Sequence, residues 1–76
     1  VKDVLVWIAQ HLVDDPDAVS VEEVEGPRSL ILQLTVAPED RGKVIGRGGR
    51  TARAIRSVMR AAAVESGQHA TVEIVG

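Results

Sequence analysis

Residues 2–13 carry apolar side chains at helical spacing. Val1, Val4, Leu5, Ile8 and Leu12 make one face, with Val13 beyond its edge. Asp3 suits the start of that helix. Asp14-Asp15-Pro16-Asp17 ends it, because Pro16 disfavours helical geometry at the residue before it. The pattern then changes period. Residues 19–25 place Val19 and Val21 on one face and break at Glu22-Glu23, which leaves room for a slip or bulge. Residues 29–36 alternate cleanly, with Leu30, Leu32, Leu34 and Val36 set against Ser29, Ile31, Gln33 and Thr35, which predicts a half-buried strand. Gly26-Pro27 between the two runs predicts a turn and an antiparallel hairpin.

The second half is helical until its last residues. Pro38, Glu39 and Asp40 open a short helix that runs to about Ile45 and is capped by Gly46. A longer helix spans about Arg50 to Ser66 and ends at Gly67. Residues 70–75 make a final strand. The predicted order is α-β-β-α-α-β, an α+β domain in which helices cover one face of a three-stranded sheet. No repeat, linker or low-complexity segment divides the 76 residues, so one domain, 1–76, is expected.

Composition narrows the chemistry. Trp7 is the one aromatic residue, so the core is aliphatic and a stacking platform of the RRM or OB type is disfavoured. About 60° beyond Val4 on the helical wheel, Trp7 is expected at the core edge or in a subunit contact. There is no cysteine, hence no disulfide framework and no thiolate metal site, as fits a cytoplasmic protein. No apolar run approaches the ~20 residues of a membrane span, and the first residues show no secretory pattern. The chain begins at Val1 rather than Met, so a few residues are expected to precede it. His11 and His69 have no neighbouring nucleophile or second ligand and are expected at the surface. Asp14, Asp15 and Asp17 lack the glycine and terminal Glu of a calcium loop and suit turn and cap positions. No catalytic, metal or cofactor site is expected.

Charge is distributed unevenly. Arg41, Lys43, Arg47, Arg50, Arg53, Arg56 and Arg60 lie within residues 41–60, which contain no acid and so carry +7. The other two cations, Lys2 and Arg28, set against all eleven acids leave the remainder at −9. This asymmetry is the footprint of a polyanion-binding protein whose acidic remainder discourages indiscriminate binding. At ~100° per residue, Arg50, Arg53, Arg56 and Arg60 fall within an arc of about 120°, with Ala52, Ile55, Val58, Met59 and Ala62 opposite. Gly46-Arg47-Gly48-Gly49 heads this stripe. Its glycines permit positive φ and close approach of another backbone. The first-turn N–H groups of the next helix favour an anion there. Helix-connecting glycines and solvated charged faces are each common without a ligand; their junction in an acid-free segment is what points to nucleic acid. No strand precedes the loop and no Gly-Lys-Ser/Thr follows, so neither nucleotide-binding motif fits.

Val44-Ile45-Gly46-Arg47-Gly48-Gly49-Arg50-Thr51-Ala52-Arg53-Ala54-Ile55 resembles the KH signature, V-I-G-x-x-G followed at a distance by Ile. The element order resembles the type II, prokaryotic KH arrangement. Leu12 to Val19 and Gly42 to Thr51 further resemble the KhpA-like family of small bacterial single-KH-domain proteins. The resemblance covers essentially the whole chain. It implies that the loop clamps about four nucleotides of single-stranded RNA. It implies contacts from Gly46, Arg47, Gly48, Gly49, Arg50, Thr51, Arg53 and Lys43, with Val44, Ile45, Ala52 and Ile55 lining or supporting an aliphatic groove and Leu34 as a wall. Ala52, where many relatives have a larger residue, implies a shallower floor. It further implies a non-enzymatic RNA chaperone or post-transcriptional regulator, self-association as a dimer, pairing with a larger KhpB-like protein, and a part in cell shape and division. An interaction module with incidental RNA binding is the rival reading; a mononucleotide-binding enzyme is a weaker one.

Overall fold

The computed structural model describes residues 2–75, and in it the alternating segment becomes the middle of a sheet. The main elements are α1 (Lys2–Leu12), β1 (Ser20–Glu25), β2 (Leu30–Thr35), α2 (Arg41–Ile45), α3 (Arg50–Glu65) and β3 (Ala70–Val75). Single 3-10 turns at Pro16–Ala18, Pro38–Asp40 and Arg47–Gly49 join them. The sheet order is β1-β2-β3, with β1 antiparallel and β3 parallel to β2. The parallel pair is reached through α2 and α3, as a crossover requires. The α+β order α-β-β-α-α-β is the one the pattern predicts.

Register explains which residues face the helices. Leu30, Leu32 and Leu34 of β2 are buried, and Leu32 pairs with Val72 while Leu34 pairs with Val21 and Ile74. Leu5, Leu32, Leu34, Met59 and Val44 are the largest fully buried side chains, so α1, α2 and α3 all contribute to one core on one face of the sheet. Each such side chain contributes ~1.5–3 kcal/mol by leaving water. The opposite face, with Glu22, Val24, Ile31, Gln33, Thr71 and Glu73, stays half-buried or exposed.

Three expectations change. No bulge forms at Glu22-Glu23, because Ser20–Glu25 pairs one-for-one with Leu30–Thr35. An edge strand accommodates both acids at its exposed margin. In α1 the buried line runs through Leu5 and Ala9, while Val4, Trp7 and Leu12 are exposed. The inward face is thus rotated by about 60° from the one the large apolar residues describe. Ala9 lets the helix approach closely, and Trp7, 61% exposed, points away from the core. Val1, counted in the expected face, lies outside the described residues. In α3 the buried residues are Ala52, Ile55, Met59 and Ala63, whereas Val58 is 49% exposed. Ala63 again replaces a larger residue as the point of close approach.

Candidate nucleic-acid interface

The loop is built by its two flanking helices. Val44, fully buried, anchors α2 to the core, and the Gly46 N–H donates to the Gly42 carbonyl at 2.8 Å to close that helix. Gly46 has φ 75° and ψ 169°. A Cβ placed there would overlap Thr51 Oγ1 and lie 2.8 Å from Thr51 Cβ and 2.9 Å from its backbone nitrogen. Only glycine therefore lets the end of α2 touch the start of α3. Gly48 and Gly49 also have positive φ, 65° and 76°, but an added Cβ would meet nothing within 4 Å. The space where their side chains would stand is open, so nothing there blocks close approach by another chain. The 3-10 turn Arg47–Gly49, absent from the sequence-based expectation, gives this segment its shape, with the Gly49 N–H donating to Gly46 O at 3.1 Å. At the opposite end α3 closes with Gly67 at φ 73°. There the Gln68 and Gly67 N–H groups donate to the Ala63 and Val64 carbonyls.

The cations divide into one that is used internally and several that are free. Lys43 Nζ pairs with Asp14 and, at 3.4 Å, with Asp40. Asp40 is buried and also accepts the Asp15 N–H at 3.1 Å. Burial alone would raise the Asp40 pKa, but the Asp15 and Asp14 backbone N–H groups and Lys43 outweigh it and hold the carboxyl below its ordinary 3.8. The hydrogen bond to Asp14 chiefly raises the Lys43 pKa above 10.5, against the opposing effect of desolvation. Lys43 thus ties the segment after α1 to the start of α2, a role visible in sequence only as the three-residue spacing from Asp40. Among the described residues no other side-chain ion pair forms, so Arg41, Arg47, Arg50, Arg53, Arg56 and Arg60 stand exposed without a carboxylate partner.

Two of these arginines are nevertheless positioned. Arg53 Nη2 donates to the Gly48 carbonyl at 3.2 Å, which folds it back over the loop. Arg56 Nε donates to the Val72 carbonyl on β3 at 3.4 Å. The residues expected to line or support a groove separate. Val44, Ala52, Ile55 and Leu34 are buried and support the loop from the core, while Ile45, 37% exposed, presents apolar surface. Thr51 is half-buried against Gly46. His11 and His69 are both exposed, and His11 Nδ1 lies 2.8 Å from the Trp7 carbonyl oxygen with its ring against the indole, tilted by 35°. Asp15 precedes the Pro16–Ala18 turn without a side-chain cap bond, and Asp14 pairs with Lys43 instead. No helix among the described residues is long and apolar enough to cross a membrane.

The Asp40 cluster makes stability depend on pH in a defined direction. A carboxyl whose folded pKa is depressed contributes stability above its unfolded value and loses it as pH falls through the folded one. The melting temperature should therefore fall as pH drops below 3.8, and Asp40→Asn should reduce that acid-limb slope. Thermal melts of both proteins from pH 6 to 2 check this; equal slopes would remove Asp40 from the account.

A three-stranded mixed sheet, three helices on one face and a Gly46-to-Gly49 loop between α2 and α3 define a type II KH domain. Residues 2–74 match the family model described as "KhpA/KhpB, KH domain". The chain is 57% identical over 74 residues to the "RNA-binding protein KhpA" of Clostridium acetobutylicum, covering 97% of this chain and 99% of that protein. It is 51% identical to the protein of that name from Clostridium perfringens, with the same coverage. Identity to the one from Aquifex aeolicus is 40%, covering 97% of this chain and 94% of that protein. The chain belongs to the KhpA/KhpB KH-domain family.

Proposed function

We propose that this chain is a non-enzymatic RNA-binding protein that holds about four nucleotides of single-stranded RNA at the α2–α3 loop. The observation that carries the reading is the set of exposed arginines beside the glycine loop, without a carboxylate partner among the described residues although the chain has eleven acids. In this reading Gly46, Gly48 and Gly49 provide close approach, Arg47, Arg50 and Arg53 meet phosphates, and Thr51 borders the loop. Ile45 offers apolar contact, with Val44, Ala52 and Ile55 behind it; Lys43 acts through the Asp14–Asp40 cluster. The relatives are named RNA-binding proteins, which favours this reading over an interaction module with incidental RNA binding. Exposed Trp7, Val58 and Val64 support the further parts of the proposal, self-association as a dimer and pairing with a KhpB-like partner. A cytoplasmic RNA chaperone or post-transcriptional role in cell shape and division follows from the family resemblance.

Titration with single-stranded RNA at several salt concentrations tests the core of this reading. Three to four phosphate contacts predict a log–log slope of affinity against salt of about −2 to −3. Failure to bind any single-stranded RNA at low salt, by folded protein, would overturn it.

A further inference from the structure

β1 is an outer strand of the sheet, and its backbone has a partner strand on one side only. The Gly26 N–H donates to the Ser29 carbonyl at 2.8 Å, while the Leu30 N–H donates away from β1, to the His69 carbonyl, at 2.8 Å. Backbone groups alternate in direction along a strand, so those of Ser20, Glu22 and Val24 point into the β1–β2 ladder. Those of Val21, Glu23 and Glu25 point outward. Among the described residues no loop, helix or side chain forms a hydrogen bond with these outward groups. A bulge or a proline blunts many such edges. Here Ser20–Glu25 pairs without a bulge and contains no proline.

What guards the edge is charge of one sign. Glu22 lies on the open face of the sheet beside Val24. Glu23 and Glu25, opposite Leu32 and Leu30, lie on the helix-covered face yet stay exposed. None of the three glutamates has a cationic partner among the described residues. The edge therefore offers hydrogen bonds to any extended backbone and selects by the side chains that backbone brings. A phosphodiester strand would meet three carboxylates. A second copy of β1 meets the same obstacle. Every two-fold antiparallel register centred on Glu22, Glu23 or Val24 sets a glutamate opposite a glutamate, which is destabilising. No strand of this chain carries a lysine or arginine to answer them. A strand with cations opposite Glu22, Glu23 and Glu25 and apolar residues opposite Val21 and Val24 satisfies both the ladder and the charges.

We infer that the free edge of β1 docks an extended basic segment of another protein, which adds to the sheet as a fourth strand. Its cations pair across the strands with Glu22, Glu23 and Glu25. The edge lies across the sheet from β3, the strand against which α3 packs, so it is separate from the arginine-bearing surface. The inference does not rest on the RNA reading of the loop.

Two blocked peptides test it by amide NMR titration of the whole chain at 0.1 M salt. The first is Thr-Lys-Val-Lys-Lys-Val-Thr, which in antiparallel register sets its lysines opposite Glu25, Glu23 and Glu22. The second has the same sequence with its second, fourth and sixth backbone nitrogens methylated. It keeps every charge and loses the N–H groups that would face β1. The first peptide should shift the outward amides of Val21, Glu23 and Glu25 more than the inward amides of Glu22 and Val24. The methylated peptide should bind at least tenfold more weakly. Glu23→Gln combined with Glu25→Gln, both at exposed positions and checked for folding by the same spectrum, should weaken the first peptide about tenfold. That is the effect of losing two cross-strand ion pairs worth about threefold each. Absence of shifts along β1 at ~5 mM peptide would overturn the inference, as would undiminished binding by the double variant. Equal affinity of the two peptides would also overturn it, because diffuse attraction between lysines and an acidic chain would then account for the binding.

Discussion

Gly46→Ala is expected to be the most damaging single change in the loop, costing ~3 kcal/mol. Two effects add. The φ 75°, ψ 169° conformation belongs to a region that essentially only glycine occupies, at ~1–3 kcal/mol for any other residue. The new Cβ also overlaps Thr51, whose backbone nitrogen would lie 2.9 Å away and cannot rotate aside as a side-chain tip can. The ends of α2 and α3 must separate, and Val44 and Ala52 are drawn with them from the core. In a domain of this size each kcal/mol is worth ~4–8 °C in melting temperature, so a fall of about 15 °C is expected. Gly48→Ala is the matched control. Its Cβ meets nothing within 4 Å, and it incurs only the left-handed penalty of ~1–2 kcal/mol. Calorimetry on both variants distinguishes the cases, and equal losses would mean that contact with Thr51 is not what requires glycine at 46.

That contrast shows what a linear sequence conveys and what it hides. Period-two alternation in Leu30–Val36 is a direct image of a half-buried strand, and the structure reproduces it residue by residue. The spacing of glycines and arginines in residues 42–60 likewise marks the loop and its stripe. The helix faces are harder, because size ranks residues by hydrophobicity while packing selects for approach distance. Ala9 and Ala63 are buried, whereas the larger Val4, Trp7 and Val58 are left outside. The same limit applies at the site. Lys43 reads as one more cation of the patch until chain folding brings Asp14, 29 residues away, onto its ammonium group. The three glycines look equivalent in sequence, and only the position of Thr51 tells Gly46 from the other two. Burial of Val44, Ala52 and Ile55 is similarly a property of the closed core. An apolar residue beside a glycine loop serves equally as groove floor or as support until the sheet is in place.

Replacing Arg47 and Gly48 together with Asp should weaken single-stranded RNA binding by about two orders of magnitude at 0.1 M salt while leaving the fold intact. For single strands each neutralised phosphate contributes ~0.7 to the salt slope, so one contact is worth about fivefold at 0.1 M. Loss of Arg47 removes that contact. The two carboxylates then face the same phosphates in reverse, a change of three charges that about triples the exponent. The fold should tolerate this because Arg47 is exposed without an ion pair and the Gly48 Cβ position is open. Asp at φ 65° costs ~1–2 kcal/mol and is among the residues that accept the left-handed region best. Neither substitution reaches exposed Trp7, Val58 or Val64, so the oligomeric state should not change. Anisotropy titrations with labelled RNA, paired with sedimentation and a thermal melt, resolve the three outcomes. Lost RNA binding with unchanged mass and fold assigns the loop to RNA and leaves the exposed apolar residues for protein contacts. Retained RNA affinity would move the binding surface away from the loop altogether. Loss of self-association together with RNA binding would make the loop part of the subunit contact, and the arginine stripe would then have to be reassigned to a protein partner's acids.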